Sequence, residues 1–158
     1  MRKTIIRQVP EKISHKGADW LDLDALAEIE LTSEQAAYPV EAALGPDRGG
    51  AGWRADRPGK QTIRLVFDHP MTLRQIHLRF DERENARTQE FALRWLSEGS
   101  DRHQDIVRQQ YTFSPPGTSE EIEDYRVDLA GLKELELSIV PDISGGSALA
   151  SLTEMRLA

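Results

Sequence analysis

Apolar residues recur at every second position in one segment after another, and no segment sustains a helical period. Period two puts successive side chains on opposite faces, so the chain is built of half-buried strands. In Ala27-Glu28-Ile29-Glu30-Leu31-Thr32, Ala27, Ile29 and Leu31 share one face while Glu28 and Glu30 take the other. Ile63, Leu65 and Phe67 repeat the spacing, and after the turn His69-Pro70-Met71-Thr72 so do Ile76, Leu78 and Phe80. Phe91, Leu93 and Trp95 follow, then Val107, Tyr111 and Phe113, Tyr125, Val127 and Leu129, Leu135, Leu137 and Ile139, and finally Met155 and Leu157. About eight short strands separated by Gly/Pro turns indicate an all-β sandwich or barrel. Val40 to Leu44 reads as one helical turn, stopped by Gly45-Pro46. Residues 45–59 hold seven Gly or Pro and read as loop, and Asp81 to Thr88 read as a charged loop. Residues 1–25 show no clear period and are expected to lead into one domain spanning 26–158.

A chain of 158 residues fits one domain, and 39% apolar with 30% charged residues allows a folded core. Without cysteine there is no disulfide frame, thiolate metal site or thiol nucleophile. No apolar run approaches the roughly 20 residues of a membrane-spanning helix. The start, Met1 to Arg7, lacks the apolar stretch of a signal peptide, so a cytoplasmic location is expected. A net charge of −7 disfavours a broad footprint on nucleic acid. The charge is uneven: residues 54–87 hold eight bases against five acids, and residues 118–158 hold nine acids against three bases.

The order of certain segments resembles the galactose-binding-like jelly roll, the fold of discoidin (coagulation factor C-type) domains and many carbohydrate-binding modules. The carriers are Leu31-Thr32-Ser33-Glu34, Tyr38-Pro39-Val40-Glu41-Ala42-Ala43-Leu44, Gly52-Trp53-Arg54-Ala55 and the strand Thr62 to Phe67 with Asp68 and Pro70 after it. Phe91-Ala92-Leu93-Arg94-Trp95 running into Ser97-Glu98-Gly99, Leu135 to Ile139, and Ala150-Ser151-Leu152-Thr153-Glu154-Met155 complete the order. The resemblance implies an antiparallel jelly-roll sandwich and a binding module rather than an enzyme. A carbohydrate is the leading ligand, and a protein partner, as in intracellular relatives of the fold, is the alternative. The resemblance also implies a structural Ca²⁺ held by loop carbonyls and by carboxylates near the first loop and the closing strand. Asp47 and Glu154 are the candidates here, although Leu44-Gly45 stands where the familiar Asp-Gly would be.

Ligands of such a fold sit in the loops at one end. Three segments would supply them: Trp53 and Arg54, Arg83 and Arg87, and Gln109 with Gln110. A tryptophan ring can stack on a sugar, and guanidinium and amide groups can fork onto vicinal hydroxyls. Each has a plainer reading. Trp53 would plug the core under its loop, Arg87 would pair with Glu84 or Glu90, and the glutamines would form a hydrogen-bonded layer at the sheet's end. On the ligand reading, Trp53 and Arg87 can be removed without loss of melting temperature. No nucleophile elbow or phosphate-cradling glycine loop is present, and His15, His69, His77 and His103 are scattered, so catalysis is not expected.

Overall fold

A computed structural model of the chain describes residues 11–12, 19–46 and 50–158. Its elements in chain order are β1 (Glu11–Lys12), α1 (Leu23–Leu26), β2 (Ala27–Leu31), α2 (Glu41–Leu44), β3 (Trp53–Pro58), β4 (Gln61–Asp81), β5 (Arg87–Ser97), β6 (Gln104–Phe113), β7 (Glu120–Val140), β8 (Leu149–Leu152) and β9 (Glu154–Leu157). All the strand pairs are antiparallel.

Two long strands organise the sandwich. β4 and β7, each of 21 residues, pair twice. The first half of β4 and the second half of β7 stand at the centre of a sheet ordered β2-β4-β7-β5-β6. Their other halves pair again as Gln75 to Asp81 against Glu120 to Arg126, with β9 added on β4 and β1 on β7. Strands that switch layers through irregular pairing are one way a sandwich makes its corners. The sequence reads these spans as four separate strands, and the structure corrects it. The turn expected at His69 to Thr72 is an irregular bend inside β4, where register shifts lie between Val66 and Gln75. Pro70 has no N–H for a ladder and falls within that bend. Gly131, at φ +66°, permits the matching bend in β7.

The region read as a 45–59 loop also needs correction, because β3 forms there and pairs with β8. Trp53 and Ala55 face inward, continuing the alternation. Gly52 makes this possible: at φ +77° it lies so close to β8 that a Cβ would stand 2.3 Å from the Leu152 carbonyl oxygen. Residues 19–25, read as part of the lead-in, are docked on the sandwich. The Leu21 amide donates to the Leu157 carbonyl (2.7 Å), and Leu23 joins the core.

The core fills the space between the layers with Trp53, Phe80, Phe91, Phe113, Tyr125 and aliphatic residues of β4, β5 and β7. Phe80 and Phe91 stack across it at 5.3 Å between centroids. Outside the first sheet an ion-pair ladder crosses five strands. Arg64 pairs with Glu30 (3.0 Å) and Glu136 (3.0 Å), and Arg94 bridges Glu136 (3.9 Å) and Asp105 (3.8 Å). The uneven charge of the sequence is thereby largely neutralised in space, because β4 from the basic middle pairs along its length with β7 from the acidic tail.

Candidate functional site

At one end of the sandwich, the α2–β3, β4–β5 and β7–β8 loops surround a cleft of about 870 Å³. Each loop is local turn chemistry on a strand end. The β4–β5 loop is closed by Glu82, whose carboxylate accepts from the Glu84 and Asn85 amides. In the β7–β8 loop, Asp142 accepts from the Ser144 amide (3.1 Å) and hydroxyl (2.8 Å), and Gly145 and Gly146 turn the chain at positive φ. The Asp142 carboxyl is held below its ordinary range, first by the Ser144 amide and then by its hydroxyl.

Arg87 joins two of these walls from beneath. Its Nε donates to Glu82 Oε1 (2.7 Å) and its Nη1 to the Pro141 carbonyl (2.8 Å), while the guanidinium lies 4.8 Å over the Phe113 ring. Burial pushes the Glu82 carboxyl up, but the hydrogen bond from Arg87 and the two amides more than offset this, so it titrates below its usual range. Arg87 lines the cleft floor, yet only 6% of it is exposed and three of its contacts are internal. It positions the loops more than it offers donors to a ligand.

The other sequence candidates divide. Arg54 and Arg83 do line the cleft. Arg54 lies 4.3 Å over the Tyr38 ring, and Arg83 makes no hydrogen bond or ion pair among the described residues. Trp53 is a correction: fully buried, with its indole N–H donated to the Ser33 carbonyl (3.0 Å), it has no free face for a sugar. Gln109 and Gln110 are also corrected, because both lie on β6 and neither lines the cleft. Gln110 donates to Glu90 (2.9 Å) on the outer face. Gln109 belongs to a polar layer between the sheets, where its amide donates to Glu123 (2.9 Å) and Gln89 donates to Glu121 (2.9 Å). Burial and then the hydrogen bond to Glu123 raise the Tyr125 phenol in that layer far above its ordinary range.

Sequence reasoning missed Arg79, Asp81, Asp142, Ser151 and Thr153, which also line the cleft. The signal for the β7–β8 wall was the Ser144-Gly145-Gly146-Ser147 run after Asp142. The β4 residues gave none, since Arg79 read as an ordinary outward face and Asp81 as the start of a charged loop.

Of the metal candidates, Asp47 lies outside the described residues. Glu154 lines the cleft from β9, with Oε1 3.5 Å from Arg156 Nε and 3.7 Å from His77 Nε2. Arg156 is buried and donates from Nη1 to the Ala43 carbonyl at the end of α2 (2.8 Å) and to the Met155 carbonyl (3.0 Å). A guanidinium thus bridges the helical turn and the closing strand, and the one described carboxylate candidate faces that guanidinium. These residues do not fit a divalent ion, and no group of three or more His, Asp or Glu among the described residues is arranged to hold one.

No protein-family model matches the chain, and no curated protein matches it in sequence. Solved structures do match in fold. A family 32 carbohydrate-binding module of NanJ from Clostridium perfringens, solved with galactose, aligns at TM-score 0.58 and 12% identity, covering 87% of this chain and 96% of that one. The fold is the galactose-binding-like jelly roll. An F5/8 type C domain from Bacteroides fragilis aligns at TM-score 0.57 and 15% identity, covering 87% of this chain and 93% of that one. The family 32 module of AlyQ, in complex with 4,5-unsaturated mannuronic acid, aligns at 0.58 and 14%, covering 89% and 98%.

Proposed function

We propose that the chain is a non-catalytic carbohydrate-binding module and that the cleft is its site. The observation that carries this reading is the balance of the lining. Five arginines and five acids line the cleft at the loop end of a jelly roll; of the arginines, Arg54 and Arg83 are exposed, while Arg87 and Arg156 are buried in internal contacts. Sugar hydroxyls both donate and accept, so a polyhydroxylated ring is complementary to a wall that offers guanidinium donors beside carboxylate acceptors. Leu149, 38% exposed on the rim, supplies apolar surface for a ring's C–H face where, among the described residues, no aromatic side chain lines the cleft. The neighbours solved with galactose and with an unsaturated mannuronic acid support the class of ligand.

Binding suits these carboxylates better than catalysis. A glycosidase needs a general acid with a raised pKa opposite a second carboxylate. Here Glu82 and Asp142 are held below the ordinary range, Asp81 pairs with Arg79 (3.2 Å), and Glu154 faces Arg156. Amide chemical-shift mapping with galactose and a uronic acid tests the placement. Shifts are expected to cluster at Arg54, in residues 81–87 and in residues 142–153. A response confined to the outer face of the first sheet, around Arg64 and Arg94, would overturn it.

A further inference from the structure

Beside the cleft lies a second cavity of about 290 Å³, lined by Asp81, Arg83, Pro115, Pro116, Ser119 and Glu120. Asp81 and Arg83 line both spaces, so the two adjoin at these residues. The shelf of this cavity is the β6–β7 turn, which presents Pro115 half-buried and Pro116 exposed. That turn is fixed from within. The Ser114 amide donates to the Thr118 carbonyl (2.8 Å), Gly117 N–H donates to the Ser114 carbonyl (3.0 Å), and the Thr118 hydroxyl donates to the Thr112 carbonyl (3.2 Å). It is also tied to the cleft wall, since the Glu82 amide donates to the Ser119 carbonyl (2.8 Å). Arg79 closes the floor between the spaces by pairing with Asp81 (3.2 Å) and Glu120 (2.8 Å).

We infer that the site takes a glycan chain of at least two units, with one sugar in the cleft and the next on the Pro115–Pro116 shelf. This rests on the carbohydrate reading above. Its own support is the pairing of two chemistries at one junction. Proline rings offer flat C–H surface with no donor of their own, which suits the apolar face of a pyranose. Arg83, whose guanidinium has no partner among the described residues, stands where the two spaces meet and can fork onto hydroxyls flanking the glycosidic bond. A shelf held by its own hydrogen bonds costs little ordering on binding, so the second sugar adds affinity instead of offsetting it.

The test is an array presenting hexoses, N-acetylhexosamines and uronic acids, each as a monosaccharide and as the terminal unit of di- and trisaccharides. Half-saturation is expected at roughly tenfold lower protein concentration for disaccharides than for their terminal monosaccharides, the scale of one well-made contact set. Ser119→Trp, which fills the shelf cavity alone, should remove that gain and leave monosaccharide binding as it was. Arg83→Ala, on an exposed loop, should shrink the gain at unchanged melting temperature. Equal half-saturation for mono- and disaccharides, or a gain that survives both substitutions, overturns the two-unit site while leaving the carbohydrate reading in place. Silence across the array removes the carbohydrate reading, and this inference with it.

Discussion

Trp53→Ala is expected to cost about 4 kcal/mol of unfolding free energy, the usual scale for emptying a buried tryptophan site. For a chain of this length that is a fall of roughly 10 °C in melting temperature. The ring is fully buried on β3 and its N–H satisfies the Ser33 carbonyl, so removal leaves both a void and an unpaired acceptor. The damage should spread. Ser33 also bonds Gln61 (2.6 Å) and the Asp56 amide (3.1 Å), which join the β2 end to β3 and β4. Trp53→Phe keeps most of the packing and should lose less than half as much. Thermal unfolding of the two variants checks this. A Trp53→Ala protein as stable as the parent would mean that the ring lies outside the core.

Arg156→Met is expected to cost about 3 kcal/mol, because removing one partner of a buried charged network strands the others. The Ala43 carbonyl loses its donor, and Glu154 loses its guanidinium neighbour, with the His77 ring 3.7 Å away. Methionine keeps most of the side-chain volume, so the loss reports the guanidinium rather than a cavity. The same arginine bears on calcium. A guanidinium already bridges the end of α2 and β9, the two places that a structural ion would join. Millimolar calcium and EDTA should therefore leave the melting temperature of the parent protein unchanged. A ligand bound only by the folded state must raise it by mass action. A rise of several degrees with calcium would show that the ion binds the fold and that Arg156 does not take its place.

How far the sequence was legible depended on whether the signal was periodic. The alternations at Ile29, Ile63, Leu78, Leu93 and Leu137 mark inward faces, and the segment order brought the jelly-roll resemblance into view. Bends inside β4 and β7 were not legible, because a strand that switches layers keeps its period and only its partner changes. The gap between Leu129 and Leu135 in β7 and the His69-Pro70 step in β4 looked like ordinary strand breaks. Of the cleft-lining residues, Arg54 and Arg83 were singled out because loop cations stand out. Trp53 was ambiguous, since an aromatic beside glycines reads equally as platform or plug, and its burial rests on β8, about a hundred residues on in sequence. Arg79 was invisible, because which outward strand residues border a cleft is decided by loops from elsewhere in the chain. Glutamates 121 and 123 show the same limit. They point inward toward glutamines on β5 and β6 while Ile122 between them is 46% exposed, a reversal that no local pattern announces.

The measurement that bears most directly on the account is a glycan-array screen of the parent protein beside Arg54→Ala, in calcium and again in EDTA. Arg54 is exposed and lies on Tyr38 at the cleft wall, so its removal should leave the melting temperature within about a degree, as surface changes usually do. The expected result is selective retention of a small set of glycans by the parent, unaffected by EDTA, and at least about tenfold weaker retention by the variant. An array on which the parent retains nothing, or on which parent and variant behave alike, would contradict a carbohydrate site in this cleft.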